Sequence, residues 1–319
     1  MSETGYKISQ QMESRSEREE RDFWSYFDAY KTVGAGKAVG RPDMAEFHHV
    51  SDDSRQRDLE LLAKQKQRDR LTVQRETGPD AFAFENFLIT HAKQQRWFGG
   101  ELYPTTEYDD WVSGADAVVE WKIPGKDPVH LAVDFTVAEE FDAFNKKSGK
   151  LERGITIKYF HSDHDERLTI PVVILGFDKS VFELIAKQDV PMTPEHPLRR
   201  MLMEQVQAQV DLQILLITKK VFSSRHVRTA KSLQAARALY ESFGDGLTAD
   251  QAVQSVERLN AAELDLLMNG KTQDLLLNLH KVKAVVDEQV LRVKAIPMDA
   301  DWQKKRENSV THAILSAHT

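Results

Sequence analysis

Residues 114–136 read GADAVVEWKIPGKDPVHLAVDFT, and this stretch decides the fold class. VVEW and VHLAV are rich in β-branched and aromatic residues and flank KIPGKDP, whose prolines and glycine favour a turn. The pattern predicts two strands, over 111–121 and 129–136, joined by that turn. Each strand carries an aspartate, Asp116 and Asp134, where its apolar run would otherwise continue. A charge in such a place is costly unless something compensates it, which makes both carboxylates candidates for function.

Upstream, TGPDAFAFENFLITHAKQQRWF (77–98) predicts an amphipathic helix. Thr77 or Asp80 can cap it, Pro79 suits its first turn, and Phe84, Phe87, Leu88 and His91 share one face at i, i+3, i+4, i+7. Glu85 lies beside that stripe, and Gly99-Gly100 ends the helix. Downstream, AEEFDAFNKKSGKL predicts a helix with Phe141, Phe144 and Leu151 inward, and GITIKYF and LTIPVVILGF predict two more strands. Helix, strands, helix, strand, strand makes an α/β sandwich. From Lys179 onward only helical spacing is found, punctuated by Gly244, Gly246 and Gly270. Whether those helices cover the sheet or form a separate bundle is left open by the pattern.

The chain has 319 residues, 41% hydrophobic and 29% charged, with a formal net charge of -7 and a mean hydropathy of -0.50. Such a composition can pack a core and favours water over lipid. No stretch approaches the roughly 18 apolar residues of a membrane span, and MSETGYKISQQMESRSEREERD has no apolar signal core, so a cytoplasmic location without membrane contact is expected. The absence of cysteine excludes disulfides, thiolate metal sites and cysteine nucleophiles. The acidic balance argues against a surface that is basic throughout, though not against a local basic patch.

Residues 1–76 read as a charged, helical, partly disordered extension. It holds an aromatic cluster at Phe23, Trp24, Tyr26, Phe27 and Tyr30, and a glycine-rich segment whose Gly34-Ala35-Gly36-Lys37 lacks phosphate-loop spacing. Residues 54–75 form a charged helix with a positive excess from Arg55, Arg57, Lys64, Lys66, Arg68, Arg70 and Arg75. It reads as a solvated helix or, alternatively, as a polyanion contact. Residues 77–192 hold the α/β core, and 193–319 form the helical C-terminal region.

Glu85 on a helix with Asp116 and Asp134 on neighbouring strands would bring three carboxylates to one point if that helix packs on the sheet. Such clusters suit Mg²⁺ or Mn²⁺, which prefer oxygen ligands, and such an ion can activate water for phosphodiester hydrolysis. The pattern resembles the PD-(D/E)XK nuclease superfamily over residues 78–178. That family places an acid on its first helix, an Asp at one strand and (Asp/Glu)-x-Lys at the end of the next. Here Glu85, Asp116 and Asp134-Phe135-Thr136 take those positions. The resemblance implies a restriction-endonuclease-like α/β/α sandwich with a mixed central sheet, a Mg²⁺- or Mn²⁺-dependent nuclease activity, and nucleic acid as partner, DNA ahead of RNA.

Two departures accompany the resemblance. Residue 115 is Ala where Pro is common, and Thr136 stands in the lysine position. A threonine hydroxyl can bond a water but carries no charge to offset the one that develops on the phosphate. Either activity is lost, leaving a catalytically inactive module that binds nucleic acid or protein, or another lysine supplies the cation. Lys158, expected on the strand beside that of Asp134, ranks ahead of Lys147 on the intervening helix.

Glu120, at i+4 from Asp116, should face the same side and serve as a fourth ligand or supporting acid. Asp109 and Asp110 read as turn caps. His161 and His164 around SDHDE, and His48-His49 with Asp52-Asp53, read as solvated loops rather than metal sites. In the C-terminal half, Arg199, Arg200, Lys219, Lys220, Arg225, Arg228 and Lys231 against Glu204 and Asp211 form a basic run that fits a phosphate backbone or an ordinary helix surface. A helical assembly protein with the α/β part as a homodimerisation platform is the third reading.

Overall fold

The computed structural model describes residues 40–72, 79–137, 150–160, 168–177, 180–181, 184–185, 192–223 and 270–307. Its central feature is a mixed four-stranded sheet of strands β1 (Glu101–Pro104), β2 (Ala117–Trp121), β3 (Val129–Val137) and β6 (Val172–Phe177), in the order β1-β2-β3-β6. The first two pairings are antiparallel, Glu120 lying opposite His130, and β3 pairs with β6 in parallel, Asp134 lying opposite Ile174. A two-stranded antiparallel ribbon, β4 (Ile155–Ile157) with β5 (Leu168–Ile170), lies on one face of the sheet. Described helices are α1 (Asp52–Thr72), α2 (Pro79–Gln94), α3 (Pro197–Ser223), α4 (Gly270–Val293) and α5 (Ala300–Glu307).

Strand alternation sorts the side chains. Ala117, Val119 and Trp121 of β2, Leu131, Val133 and Phe135 of β3, and Val173, Leu175 and Phe177 of β6 join one core with Phe87, Leu88 and Ala92 of α2, Val206 and Val210 of α3, and Leu279, Val282 and Val286 of α4. The described C-terminal helices thus complete the sheet's own core, which answers the question that their sequence leaves open. The opposite parity, Val118, Ala132 and Val172, packs on Ile155, Ile157 and Ile170 of the ribbon and on Phe160 just beyond β4. Asp116 and Asp134 share this second parity.

LTIPVVILGF, predicted as one strand, is two. Pro171 has no N–H for a ladder; its carbonyl accepts from Ala132 N–H at 2.9 Å, and the chain changes sheets there, from β5 to β6. The predicted strand over 111–121 starts only at Ala117, because residues Asp109–Ser113 form a single π-helical turn closed by Gly114 N–H donating to the Asp109 carbonyl at 2.8 Å. Strand β1 is not foreseen by its sequence; ELYP is too short to carry an alternation signal.

The outer edge of β6 would expose unpaired backbone groups. Three buried glutamines, one per turn of α3, cover it. Gln209 donates to the Ile174 carbonyl at 2.6 Å and accepts from Ile174 N–H at 2.7 Å. Gln205 makes the same pair of bonds with Gly176 at 3.1 and 3.2 Å. Gln213 donates to the Val172 carbonyl at 2.9 Å. The side-chain amides mimic a neighbouring strand, which explains why a mostly apolar helix face keeps glutamine at i, i+4 and i+8.

Buried histidine is the other polar feature of this core. His196 stacks on Trp97 with ring centroids 6.2 Å apart and meets Trp302 edge-on at 5.3 Å. Its Nδ1 accepts from Leu198 N–H at 3.1 Å, capping α3. Burial lowers the pKa values of both His196 and His280 to about 4.

The helix predicted over 138–151 lies outside the described residues except for Lys150 and Leu151. The aromatic cluster at 23–30, the glycine segment 34–37, His161 and His164, and the helices over 224–269 lie wholly outside them.

Two predictions concern stability. Gln209→Ala strips both polar groups of Ile174 of their partners and should cost about 2–4 kcal/mol in urea unfolding, whereas Gln207→Ala, which removes a part-buried side-chain bond to Asp287 and leaves the sheet edge covered, should cost about 1 kcal/mol. Between pH 6.5 and 4 an unfolded His196 binds a proton that the folded ring refuses, so its contribution to stability is lost as pH falls through that window. Raised carboxyl pKa values elsewhere act in the opposite sense, so the readout is a difference. His196→Asn keeps the capping acceptor without the titration, and by pH 4 it should have lost about 3 kcal/mol less stability than wild type.

Candidate functional site

Asp116 lies just before β2, where the ladder with β3 opens. Its backbone N–H still donates to the Val133 carbonyl at 2.9 Å and its carbonyl accepts from Thr105 N–H at 3.0 Å. The next ladder position is taken by its side chain, whose Oδ2 accepts from Phe135 N–H at 2.6 Å. That bond aims Asp116 toward β3 and the neighbouring Asp134. Both aspartates are 4% exposed. Glu85, in the first half of α2, and Asp110, in the π-turn, complete the group.

Two cations enter it. Arg41 Nη2 bonds the Glu85 carboxylate and lies 3.9 Å from Asp116 Oδ1, while Nη1 is 2.8 Å from Asp110 Oδ2. Lys150 Nζ is 3.1 Å from Asp134 Oδ2 and donates to the Gly114 carbonyl, also at 3.1 Å. Glu85, Asp116 and Asp134 are therefore brought together as expected from their positions, with Asp110, Arg41 and Lys150 added.

The titration of the group reflects crowding of negative charge. Burial first, then Asp110 and Asp134, pushes Glu85 up to about 7 against the opposing pull of Arg41. Burial, then the charges of Glu85, Asp134 and Asp110, raises Asp116 well above the usual carboxylate range, and a hydrogen bond with the Asp110 carboxyl adds to the shift. Burial opposes the charge on Arg41, but Asp110, Glu85 and Asp116 together outweigh it and raise its pKa.

Other predicted residues fall elsewhere. Lys158 is not on a strand beside β3: that strand's neighbours are β2 and β6, and Lys158 follows β4 in the ribbon. Its ammonium bonds Asp58 of α1 and Ser54 Oγ, the latter at 2.8 Å. Lys147 lies outside the described residues. Thr136 stands two residues beyond Asp134 on β3, opposite Gly176. Glu120 shares the sheet face of Asp116 but sits ~13 Å further along the strand, bound to His130 at 3.0 Å and Lys122 at 3.2 Å.

The two neighbouring aspartates of the π-turn divide. Asp110 belongs to the carboxylate group, while buried Asp109 accepts from Lys158 and Tyr159 N–H, each at 2.9 Å, and so ends β4. His49 Nε2 lies 3.3 Å from the Lys158 carbonyl, and Asp52 and Asp53 fill the first turn of α1. Of the predicted basic run, Arg199 binds the Trp97 and Pro194 carbonyls, both at 2.9 Å, and Arg200 binds Glu204 and the Ile296 carbonyl. Those two are spent inside the fold. The side chains of Lys219, Lys220, Arg225, Arg228 and Lys231 lie outside the described residues.

Arg41 and Lys150 were not foreseen as site residues. The signal near Arg41 is Asp43-x-x-Glu46, a capping-box pattern showing that an ordered turn follows it. In sequence, Gly149 before Lys150 is a helix-stop signal, and Gly114 supplies the acceptor. Gly114 has φ +75°, and a side chain there would run into the Lys150 ammonium.

Among the described residues no three His, Asp or Glu side chains form a ready cation cage; the arginine and the lysine stand among the carboxylates instead. The donor chemistry still fits a hard divalent ion. Four carboxyl groups gather around two cations, and carboxylate oxygens are the donors such an ion prefers. Compared with protein-family models, with curated proteins and with solved structures, the chain has no significant match.

The packing of Gly114 on Lys150 yields a double-mutant test. Gly114→Ala should destabilise by about 1–3 kcal/mol, from the left-handed backbone and the clash together. In a Lys150→Ala background the same change should cost about 1 kcal/mol less, since only backbone strain remains; chemical denaturation of the four proteins measures the difference.

Proposed function

We propose that the chain is a metal-dependent nuclease of the PD-(D/E)XK type, with a restriction-endonuclease-like core, hydrolysing phosphodiester bonds in DNA or RNA. One observation carries the reading. An acid on a helix, Glu85, and two aspartates of the sheet, Asp116 just before β2 and Asp134 on β3, meet beside a lysine ammonium that is supplied by Lys150 and not by position 136. The mixed sheet with the acids near the start of β2 and late in β3 agrees with it.

Glu85, Asp116 and Asp134 would hold Mg²⁺ or Mn²⁺. When bound, such an ion lowers the pKa of a water and withdraws charge from the phosphate. Phe135 N–H fixes the Asp116 carboxylate in one orientation, which is the kind of support that keeps a ligand set in place. Lys150, held between Asp134 and the Gly114 carbonyl, is placed to orient the attacking water and to offset charge as the bond to the leaving oxygen breaks. Thr136, on the same strand face, offers a hydroxyl to a water. Neither Lys158 nor Glu120 has a role in this chemistry.

A second reading has its own support. Arg41 and Lys150 already counter part of the acid charge, as would suit a nuclease-like scaffold that binds nucleic acid or protein without cleaving it. Incubation with single-stranded, duplex and branched DNA and with RNA in Mn²⁺ separates the two. The enzyme reading expects cleavage that falls at least about 100-fold in Asp116→Ala, Asp134→Ala and Lys150→Met and persists in Glu120→Gln. No cleavage of any substrate would favour the scaffold.

A further inference from the structure

The delivery of Arg41 into the carboxylate group calls for its own explanation. The chain directly behind it is fixed. Asp43 accepts from Ala45 N–H at 2.8 Å and Glu46 accepts from Asp43 N–H at 3.0 Å, which caps the turn Met44–Glu46. Met44, Phe47 and Val50 are buried with Leu62, Tyr108 and Tyr159, and Arg55 donates to the Phe47 and Val50 carbonyls at 3.2 and 3.1 Å. In front, a side chain at Gly40 would meet nothing within 4 Å among the described residues. Arg41 therefore projects from an anchored backbone, and its side chain keeps 19% exposure, well above the 6% of the Asp116 side chain.

The cations divide the acids. Lys150 serves Asp134, and Arg41 serves the other three, with Nη2 on the Glu85 and Asp116 side and Nη1 on Asp110. Nη2 faces Glu85 Oε1 and Asp116 Oδ1, and because Asp116 Oδ2 is engaged by Phe135 N–H, a metal ion bound through those facing oxygens competes with the guanidinium for their lone pairs. The contact with Asp110, nearer the surface at 25% side-chain exposure, is made by the other nitrogen, Nη1, and uses neither of those oxygens.

We infer that Arg41 is a built-in competitor of the metal: it occupies the Glu85–Asp116 side of the site until a divalent cation displaces it, and so sets the concentration of metal at which the site loads. This rests on the metal-dependent reading above. The device has a physical reason. Without a cation, buried carboxylates facing one another repel, and Arg41 holds them converged with less charge than the divalent ion brings. Metal binding then includes the work of breaking an arginine–carboxylate bond, and the affinity is lower than the ligand set alone would give.

Calorimetric titration of Mn²⁺ into the full chain tests this, with wild type, Arg41→Gln and Asp134→Ala compared at one ionic strength. Arg41→Gln should bind Mn²⁺ about tenfold more tightly than wild type, and its melting temperature, lower than wild type in metal-free buffer, should rise further on adding Mn²⁺. Asp134→Ala should lose binding in either background. Equal or weaker Mn²⁺ binding by Arg41→Gln, with wild type still binding, would overturn the competition and leave the metal site standing. Absence of Mn²⁺ binding in both wild type and Arg41→Gln would overturn the metal-dependent reading and the competition with it. Should Arg41→Gln fail to fold, Mg²⁺ titration of the wild type followed through the Arg41 guanidinium resonances decides. Loss of their protection from solvent exchange as metal binds supports displacement, and unchanged protection at saturation refutes it.

Discussion

The bond from Phe135 N–H to the Asp116 carboxylate, 2.6 Å long, is the constraint from which the site follows. Here a side chain stands in for the next rung of the β2–β3 ladder, while the backbone of the same residue ties β1 to β3 through Thr105 and Val133. A carboxylate in that position cannot retreat to water without opening the sheet. A carboxyl group is thereby fixed at 4% exposure beside Asp134, and two cations stand around the acids gathered there. Arg41 comes from before the core and Lys150 from after β3, so segments distant in sequence are drawn to one point by electrostatics that the sheet makes unavoidable.

The same economy shapes the far edge of the sheet. A parallel pair such as β3–β6 is ordinarily covered on both faces and closed at its edge. Gln205, Gln209 and Gln213 close it from α3, and α4 packs over α3 and β3 within one core. The described C-terminal helices are part of the scaffold that holds β3, and thus Asp134, in register. Their removal would uncover β6 as well as the apolar face.

Much of this was legible in the chain. Apolar alternation around Asp116 and Asp134 located β2 and β3, the 3.6-residue spacing around Phe87 located α2, and the cost of a charge inside an apolar strand pointed to the carboxylates. That Arg41 and Lys150 stand among these carboxylates is not written in any local spacing. The pattern of strands places Lys158 beside β3, but adjacency is decided at Pro171, where the chain leaves β5 of the ribbon and enters β6 beside β3. Arg41 was invisible because nothing local to residues 40–43 records what lies across from them in space.

Asp109 and Asp110 show why spacing alone is insufficient at such a site. In a regular strand, adjacent residues face opposite sides of the sheet and the assignment would follow from parity. The π-turn instead places Asp109 inward, where it takes the N–H groups of Lys158 and Tyr159, and Asp110 toward Arg41. One aspartate ends a strand and the other joins the charged group. The Asp109 bonds also fix the backbone that carries Lys158 to Asp58, so the residue that looks like a turn cap keeps the rejected lysine away from the carboxylates. Structural and candidate functional acids are thus coupled through a single turn, Asp109 holding the end of β4 and Asp110 joining the carboxylate group.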